Sequence, residues 1–358
     1  MRSPPPGPVA VVAEEPEPPA GWDARTVDVP GGHVLQGAEW AAHRAEQGWR
    51  PRFLSFADGR AALLLTRRQP PLPGFLAYAP RGPVSAGDPA ERVAGRAAGL
   101  AAWCRGEGAS ILAVDPELDA SETYEHRLAE AAFRPAHEIQ PSRHRMVLRF
   151  PAGADEDGLL RGVSKSSRQR IRAAEEAGTT VREDRAGEWL EPFGALMEEA
   201  AGRRHFHFQA EGSFLPWWRR VLEAGRARFF VALHGGELCG GLLAYLQGGH
   251  WATAFSADRA DLRDRVPGTM HLLRWTAIRG ALAAGVPAID LGGVDLAGHR
   301  ERPREGDPGW GLYQHKASFG AEWVESAPAH EVLLRPWLYR IGLSARALRR
   351  VAMRLQAR

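Results

Sequence analysis

Hydrophobic residues follow two alternating patterns along this chain. Short apolar runs that end at a glycine alternate with longer segments whose apolar residues return every three or four positions. The short runs are typical of β-strands joined by tight turns, and the longer segments are typical of helices that pack on a sheet. The stretches 52–65 and 228–244 each predict a strand, a glycine-containing turn and a second strand. The pattern therefore predicts a mixed α/β protein.

The predicted elements occur twice at a constant spacing. The turn glycines Gly59 and Gly236 lie 177 positions apart. Gly108 and Gly285 each follow a helical segment and precede an apolar strand, and they are also 177 positions apart. Turn, helix end and strand thus recur together, which predicts two tandem α/β (α+β) units with mixed sheets. Antiparallel hairpins followed by a helix that crosses to a further strand resemble the acyltransferase fold called GNAT.

The two ends of the chain differ from the body. Residues 1–20 are rich in Pro, Glu, Ala and Val and have no charged start followed by an apolar stretch, so a disordered tail is expected rather than a secretory signal. No run of eighteen apolar residues occurs, and a cytoplasmic location is expected. Residues 336–358 alternate apolar and basic positions, which predicts an amphipathic helix whose apolar side packs on the protein. Contact of its arginines with anionic lipid headgroups or RNA is the alternative.

The basic residues are almost all arginine. Of the 46 lysine and arginine side chains only Lys165 and Lys316 are lysine, and the net charge of +3 permits an anionic partner. A lysine that persists in such a composition marks a position where a compact ammonium is needed, or else a chance survival. Cys104 and Cys239 are far apart in apolar surroundings, which favours buried thiols in a reducing cytoplasm.

A basic helix is predicted between the two units. Ser164 can cap its start and Gly178 can end it in the left-handed conformation. Lys165, Arg168 and Arg172 fall at i, i+3 and i+7 and share one face. Such a stripe suits a phosphate backbone, whereas a solvated surface helix is the alternative.

Most familiar catalytic motifs are missing. The chain has no nucleophile elbow, zinc-protease helix or phosphate-binding loop, and His205 and His207 have no further ligands at suitable spacing, so no metal is expected. The segment 265–270 partly matches [RQ]-x-x-G-x-[GA], the pattern whose backbone amides hold the pyrophosphate of coenzyme A. Arg265 and Gly268 fit, but Met270 does not, because its side chain would fill the space that the phosphates need. These residues indicate an acyltransferase fold with an acyl donor other than a CoA thioester, and no cofactor is expected.

Five motifs in order along residues 30–340 resemble the FemABX family, whose members are aminoacyl-tRNA-dependent peptidyl transferases that build the cross-bridge of bacterial peptidoglycan. These motifs are Leu35–Trp40 with Gln47–Trp49, Tyr78–Pro83, the basic helix ending at Gly178, Ile289–Gly293, and Gly311–Gly320. The last, Gly-Leu-Tyr-Gln-His-Lys-Ala-Ser-Phe-Gly, is the most specific. The family often has an aromatic residue before its motif lysine, where this chain has His315.

The resemblance implies a mechanism and a set of site residues. The side-chain amine of a muropeptide stem attacks the ester carbonyl of an aminoacyl-tRNA, and Lys316 is expected to stabilise the oxyanion and to hold the terminal phosphate of the tRNA. Arg44, Tyr78 and Arg204 are expected to bind the nucleotide- or lipid-linked muropeptide precursor.

The resemblance also implies the domain organisation. Family members consist of two GNAT-like domains, here expected at 21–160 and 161–327, with residues 328–358 returning to the first. No long coiled-coil arm fits between Gly178 and Trp217, so a monomer is expected. Two other functions remain open: a CoA-dependent N-acyltransferase, and a non-catalytic RNA- or envelope-associated binding module.

Overall fold

The protein is described from a computed structural model. It describes residues 7–68, 70, 74–137, 144–204, 214–262, 265–294 and 301–336, without the side chains of residues 203 and 204. The chain divides into two compact units. The first comprises Met1–Ile139 with Ser326–Arg358, and the second comprises Gln140–Glu325.

The first unit is a sheet with a long helix packed on it. Its elements are β1 (Val11–Glu15), α1 (Trp22–Thr26), a 3-10 helix (Val34–Gln36), α2 (Ala38–Glu46), β2 (Arg50–Phe56), β3 (Ala61–Arg67), β4 (Phe75–Ala79), α3 (Ala90–Gly106), β5 (Ala109–Val114), α4 (Glu122–Glu130), β6 (Arg134–Pro135) and, from the end of the chain, β14 (His330–Leu333).

The second unit repeats this plan and adds helices before its central hairpin. Its elements are β7 (Arg145–Arg149), α5 (Glu156–Gly162), α6 (Lys165–Glu176), β8 (Thr180–Glu183), α7 (Leu190–Arg204), α8 (Leu215–Glu223), β9 (Ala227–His234), β10 (Glu237–Gln247), β11 (His250–Asp258), a 3-10 helix (Ala260–Leu262), α9 (Thr269–Ala283), β12 (Ala288–Asp290), α10 (Trp310–Ala317) and β13 (Glu322–Val324).

The two sheets have the same strand order and polarity. The order is β1-β2-β3-β4-β5-β14-β6 in the first and β8-β9-β10-β11-β12-β7-β13 in the second. Each contains one parallel pair, β4 with β5 and β11 with β12, while the other named pairs are antiparallel. The predicted fold class, two α/β units with mixed sheets, is confirmed.

The glycines that revealed the repeat have the conformation that the repeat requires. Gly59 and Gly236 turn their hairpins with φ of 79° and 83°, and Gly108 and Gly285 follow α3 and α9 with φ of 88° and 71°. Residues with a Cβ rarely adopt these positive φ values, which explains why glycine recurs at all four positions.

The boundary between the units lies earlier than the predicted 160/161. Residues 145–149 form β7, which pairs with β12 through Ile289↔Leu148 and with β13 through Trp323↔Met146. This strand was expected in the first domain but belongs to the second sheet, where it fills the position that β14 fills in the first sheet. Periodicity identifies a strand but not its partner, so the sequence could not assign β7. Residues 337–358, with the predicted amphipathic helix, lie outside the described residues.

The prediction of a disordered tail over 1–20 is wrong for its second half. Residues 11–15 form β1, which extends the first sheet by pairing with β2. Val9 is buried, and its amide donates to the carbonyl of Gly95 on α3 at 2.8 Å. A Cβ on Gly99 would lie 1.8 Å from the carbonyl oxygen of Val9, so the strand crosses α3 where the helix has no side chain. The tail is ordered because α3 offers it a smooth apolar surface.

We expect Gly99→Ala to destabilise the first unit by about 1–3 kcal/mol, because the added methyl must push the backbone of Val9 away from α3. Urea unfolding measures the loss, and limited proteolysis should show faster cleavage within residues 7–20. Gly106→Ala is the matched control on the same helix, because a Cβ there has no neighbour within 4 Å. Equal stability of the two variants would contradict the close approach.

The prediction of two buried thiols is confirmed. Cys104 and Cys239 are free and buried, and burial raises the pKa of the Cys104 thiol to about 12. Neither thiol is therefore an ionised nucleophile at neutral pH. Within the described part of the chain, no helix is long and apolar enough to cross a bilayer.

Candidate functional site

A cavity of about 540 Å³ lies in the second unit among α6, α9 and α10. Its lining combines hydroxyl, imidazole, guanidinium and aromatic groups and includes no carboxylate among the described residues. The lining residues are Ser166, Ser167, Arg170, His271, Gly311, Tyr313, Gln314, His315, Ala317 and Ser318. The most specific sequence motif, 311–320, therefore forms one wall of this cavity.

The start of α6 is tied to the end of α10. Ser164 caps α6 as predicted, since its Oγ accepts from the amide of Ser167 at 3.2 Å. The amide of Ser164 donates to the carbonyl of Ser318 at 2.8 Å, and the hydroxyls of Ser167 and Ser318 are 2.7 Å apart. The serines that begin the basic helix thus fix one edge of the cavity.

A buried guanidinium begins a chain of hydrogen bonds that reaches the cavity wall. Arg274 on α9 is 1% exposed, and its Nη1 donates to the carbonyl of Leu291 at 3.0 Å. Its Nε donates to Nε2 of His315 at 3.1 Å, and Nδ1 of His315 lies 3.2 Å from Nε2 of His271. Burial lowers the pKa of Arg274 to about 10, so it remains charged at neutral pH.

Both histidines are held neutral. Burial, together with the charges of Arg274, Lys316 and Arg170 and the neighbouring His271, lowers the pKa of His315 to about 2. Burial, Arg170 and Arg274 lower the pKa of His271 to about 4. A proton on either ring would be both poorly solvated and close to fixed cations, so neither imidazole is an acid at neutral pH.

Lys316 is buried against the loop that follows β12. Lys316 is only 5% exposed, and its Nζ donates to the carbonyl of Gly293 at 2.6 Å. Gly292 has φ of 81°, and a Cβ there would lie 2.8 Å from the carbonyl oxygen of Thr253 and 3.3 Å from Nζ of Lys316. Only glycine allows this loop to close around the ammonium. Lys316 is not among the cavity-lining residues, although His315 and Ala317 beside it are.

A buried carboxylate holds the same loop in its turn. Oδ1 of Asp290, the last residue of β12, accepts from the amide of Gly292 at 2.8 Å. Burial raises the pKa of Asp290, while Arg145, His250 and Lys316 oppose that shift. The Ile-Asp-Leu-Gly-Gly motif is thus explained by local geometry: the aspartate fixes the turn, and the two glycines bring a carbonyl to Lys316.

The start of α9 is covered by the backbone of α6. Gly268 precedes the helix with φ of 80°, and a Cβ on it would lie only 2.0 Å from the carbonyl oxygen of Arg170. Met270 is half-buried against the apolar core. The helix start at which a CoA pyrophosphate would sit is therefore in contact with protein backbone.

The three residues of the predicted basic face of α6 have different surroundings. Lys165 and Arg172 are exposed. Nη1 of Arg168 instead donates to the carbonyl oxygens at the end of α5, those of Leu160, Arg161 and Val163. Arg168 thus serves as a helix cap for α5.

In the first unit the guanidinium of Arg44 contacts two indole rings. Its guanidinium carbon is 5.5 Å from the ring centre of Trp40 and 5.1 Å from that of Trp49, and its Nη1 donates to Oε1 of Gln47. These contacts explain the spacing of the motif Trp40–Trp49, because one turn of α2 and the turn that follows the helix bring both rings within reach of the cation.

Tyr78 is connected to a turn with strained backbone. Its hydroxyl donates to Oδ2 of the fully buried Asp115 at 2.9 Å. Oδ1 of Asp115 accepts from the amide of Arg81 at 2.6 Å, and Arg81 has φ of 51°, which is unusual for a residue with a side chain. The side chain of Arg204, at the end of α7, lies outside the described residues, as do His205 and His207.

The sequence analysis did not identify Arg170, His271 and Arg274 as residues of the cavity and its hydrogen-bond chain. Arg170 lines the cavity, yet it lies off the helical face that the i, i+3, i+7 pattern selected. His271 and Arg274 are separated from His315 by more than forty positions, and no local spacing connects them. The described residues contain no group of three or more His, Cys, Asp or Glu side chains that could hold a metal ion.

Two family models match the chain, one in each half. Residues 22–139 match the FemAB family, and residues 161–307 match an acetyltransferase (GNAT) domain. The chain is also similar to Lipid II:glycine glycyltransferase of Staphylococcus aureus, with 28% identity over 225 residues, which cover 58% of this chain and 52% of that protein. The chain thus spans about half the length of the curated relatives it matches.

Solved structures share the fold over most of the chain. The crystal structure of FemX has a TM-score of 0.72 at 20% identity and covers 92% of this chain and 99% of that one. A conserved protein of unknown function from Bacteroides thetaiotaomicron has a TM-score of 0.52 at 11% identity, covering 89% and 98%. With the two family models and the motif order, these findings support the resemblance of the chain to the FemABX family.

Proposed function

We propose that this protein is an aminoacyltransferase of peptidoglycan bridge formation, which moves an amino acid from aminoacyl-tRNA to the side-chain amine of a precursor stem peptide. The observation that carries the proposal is the buried ammonium of Lys316, held by the loop after β12. The similarity to the staphylococcal glycyltransferase supports the same acceptor chemistry.

In the proposed reaction the acceptor amine attacks the carbonyl carbon of the aminoacyl ester. A carbon–nitrogen bond forms, the bond between that carbon and the ribose oxygen breaks, and the proton lost by the amine ends on the ribose oxygen. Negative charge develops on the carbonyl oxygen between these steps. A fixed cation near this oxygen stabilises the transition state more than the ground state, which is the condition for catalysis.

Lys316 suits this role because its ammonium is fixed before the substrate arrives. Its Nζ donates to the carbonyl of Gly293, which holds the ammonium in a defined position. Its burial also strengthens its field, since the surroundings screen a charge less than water does.

The remaining sites are those that the resemblance to the FemABX family implies. We assign the phosphate-bearing precursor to Arg44, Tyr78 and Arg204, and the tRNA backbone to Lys165 and Arg172 on α6 with Lys316 at its end. Arg168 contributes to the same surface by holding the end of α5 against α6. The protein would act as a monomer at the inner face of the membrane.

A CoA thioester is the competing acyl donor. Its pyrophosphate would require exposed amides at the start of α9, and the contact of Gly268 with the carbonyl of Arg170 disfavours this. Met270 in place of a small residue disfavours it further.

The test is incubation of the purified protein with a pool of charged tRNAs and muropeptide acceptors, both nucleotide-linked and lipid-linked. We expect a product heavier by one aminoacyl residue, with fragmentation locating the addition at the side-chain amine. Uncharged tRNA is the control and should give no product. Acylation that needs acetyl-CoA instead of charged tRNA, or no transfer from any charged tRNA, would overturn the proposal.

A further inference from the structure

The two hydrogen bonds that connect Arg274, His315 and His271 can run in only one direction, from donor to acceptor. The Nε of an arginine is always a donor, so Nε2 of His315, 3.1 Å away, must accept and carry no proton. The proton of the neutral His315 ring is then on Nδ1, which donates to Nε2 of His271 at 3.2 Å. Nε2 of His271 therefore carries no proton, and its own proton is on Nδ1.

The chain of bonds thus ends in the Nδ1–H group of His271, a residue of the cavity lining. His271 lines the cavity, and among the described residues no hydrogen-bond partner accepts from its Nδ1. The ring is held in position by His315, whose plane is at 89° to it with centroids 4.4 Å apart. A donor whose tautomer and orientation are both fixed needs no rearrangement when an acceptor oxygen arrives.

The charge around this donor favours an anion. Arg170 lines the same cavity, and its charge and that of Arg274 add to burial in lowering the pKa of His271. Arg274 and Lys316 add positive charge behind His315, and the lining has no carboxylate among the described residues. The exposed guanidinium of Arg170 can pair with two oxygens of one phosphate, which a neutral ligand would not need.

We propose that this cavity binds a phosphate group of the RNA 3′ end, with Arg170 pairing with the phosphate and Nδ1–H of His271 donating to one of its oxygens. His315 and Arg274 are positioning residues, because they act on the ligand only through His271. The identity of the ligand as RNA rests on the proposed function, whereas the phosphate chemistry rests on the cavity itself.

Titration of the single-stranded RNA trinucleotide CCA into the full-length protein tests the proposal directly. Arg170→Ala should weaken binding by about ten- to a hundredfold, the usual effect of losing a hydrogen bond to a charged group. Arg182→Ala removes an exposed arginine of the same unit outside the cavity and should leave the affinity unchanged. Equal effects of the two variants would overturn the site.

The role of His271 has its own pair of variants. His271→Asn can keep an N–H close to the position of Nδ1 and should bind the trinucleotide nearly as well as the parent. His271→Phe removes the donor and should weaken binding about tenfold. Retained affinity in the phenylalanine variant would show that the donor does not contact the ligand.

Nitrogen NMR of the unmodified protein tests the relay even where a variant fails to fold. Both rings should be neutral from pH 5.5 upward, each with its proton on Nδ1, and only the His271 signal should shift when the trinucleotide binds. A proton on Nε2 of His271 would overturn the relay. UDP is the second probe, and binding as tight as that of the trinucleotide would overturn the assignment to RNA.

Failure of this inference and failure of the proposed function give different results. Transfer from charged tRNA without an effect of Arg170→Ala on trinucleotide binding would remove the cavity assignment alone. Trinucleotide binding at Arg170 and His271 without any transfer would remove the proposed enzyme activity alone.

Discussion

Lys316→Met should lower the rate of aminoacyl transfer by roughly 10²–10³-fold, with a smaller rise in the KM for charged tRNA, which Lys316 also holds, and little change in the KM of the acceptor. Methionine is close to lysine in length but cannot donate to the oxyanion, so transition-state stabilisation is lost while binding surfaces remain. Single-turnover transfer from charged tRNA measures the chemical step, and circular dichroism checks that the variant is folded. A loss that appears only in KM would argue that Lys316 binds substrate without stabilising the oxyanion.

Lys316→Arg should not restore the rate, although it retains the charge. The ammonium is enclosed by the loop after β12, where a Cβ on Gly292 would lie 3.3 Å from Nζ and the carbonyl of Gly293 accepts its hydrogen bond. A planar guanidinium needs more room than this loop provides. Activity of the arginine variant close to that of the parent would contradict the steric part of the argument.

The second large effect is on stability in acid. Both histidines have folded-state pKa values, about 2 and about 4, below their ordinary value, so the unfolded chain takes up protons that the folded chain does not. Stability therefore falls as the pH drops through the range below 6.5. Between pH 7 and pH 5 each histidine should cost about 2 kcal/mol, or about 4 kcal/mol together.

His315→Gln isolates this effect. The amide oxygen of glutamine can still accept from Nε of Arg274, but the side chain does not titrate, so the loss between pH 7 and pH 5 should shrink by about 2 kcal/mol. Comparison with the parent is necessary because the raised pKa of Asp290 contributes with the opposite sign. Urea unfolding at the two pH values measures the difference, and His126→Gln, an exposed histidine on α4, is the control. An unchanged pH dependence in His315→Gln would contradict the buried, neutral state of the ring.

Local patterns predicted those features in which neighbours along the chain decide the outcome. The turn at Gly59, the cap at Ser164 and the helix end at Gly108 depend on backbone conformation over a few residues, and each is present in the structure. The partner of β7 depends on a strand more than 130 residues away, and the order of the N-terminal segment depends on a smooth surface at Gly99. The hydrophobic periodicity of β7 does not identify its partner strand, and that of the N-terminal segment does not show that it is ordered.

The sequence by itself determined that the chain is a doubled α/β protein, because turns and helix ends recur at a constant spacing, and it singled out Lys316 as one of only two lysines. Only the tertiary structure decided which cations surround the cavity. Arg168 caps α5, and Arg170 lines the cavity. Arg274 determines which ring nitrogen carries the proton in His315 on α10 and, through it, in His271 on α9. The physical reason is that a side chain's charge is readable from its residue type, whereas its partners and solvation depend on which helices pack together.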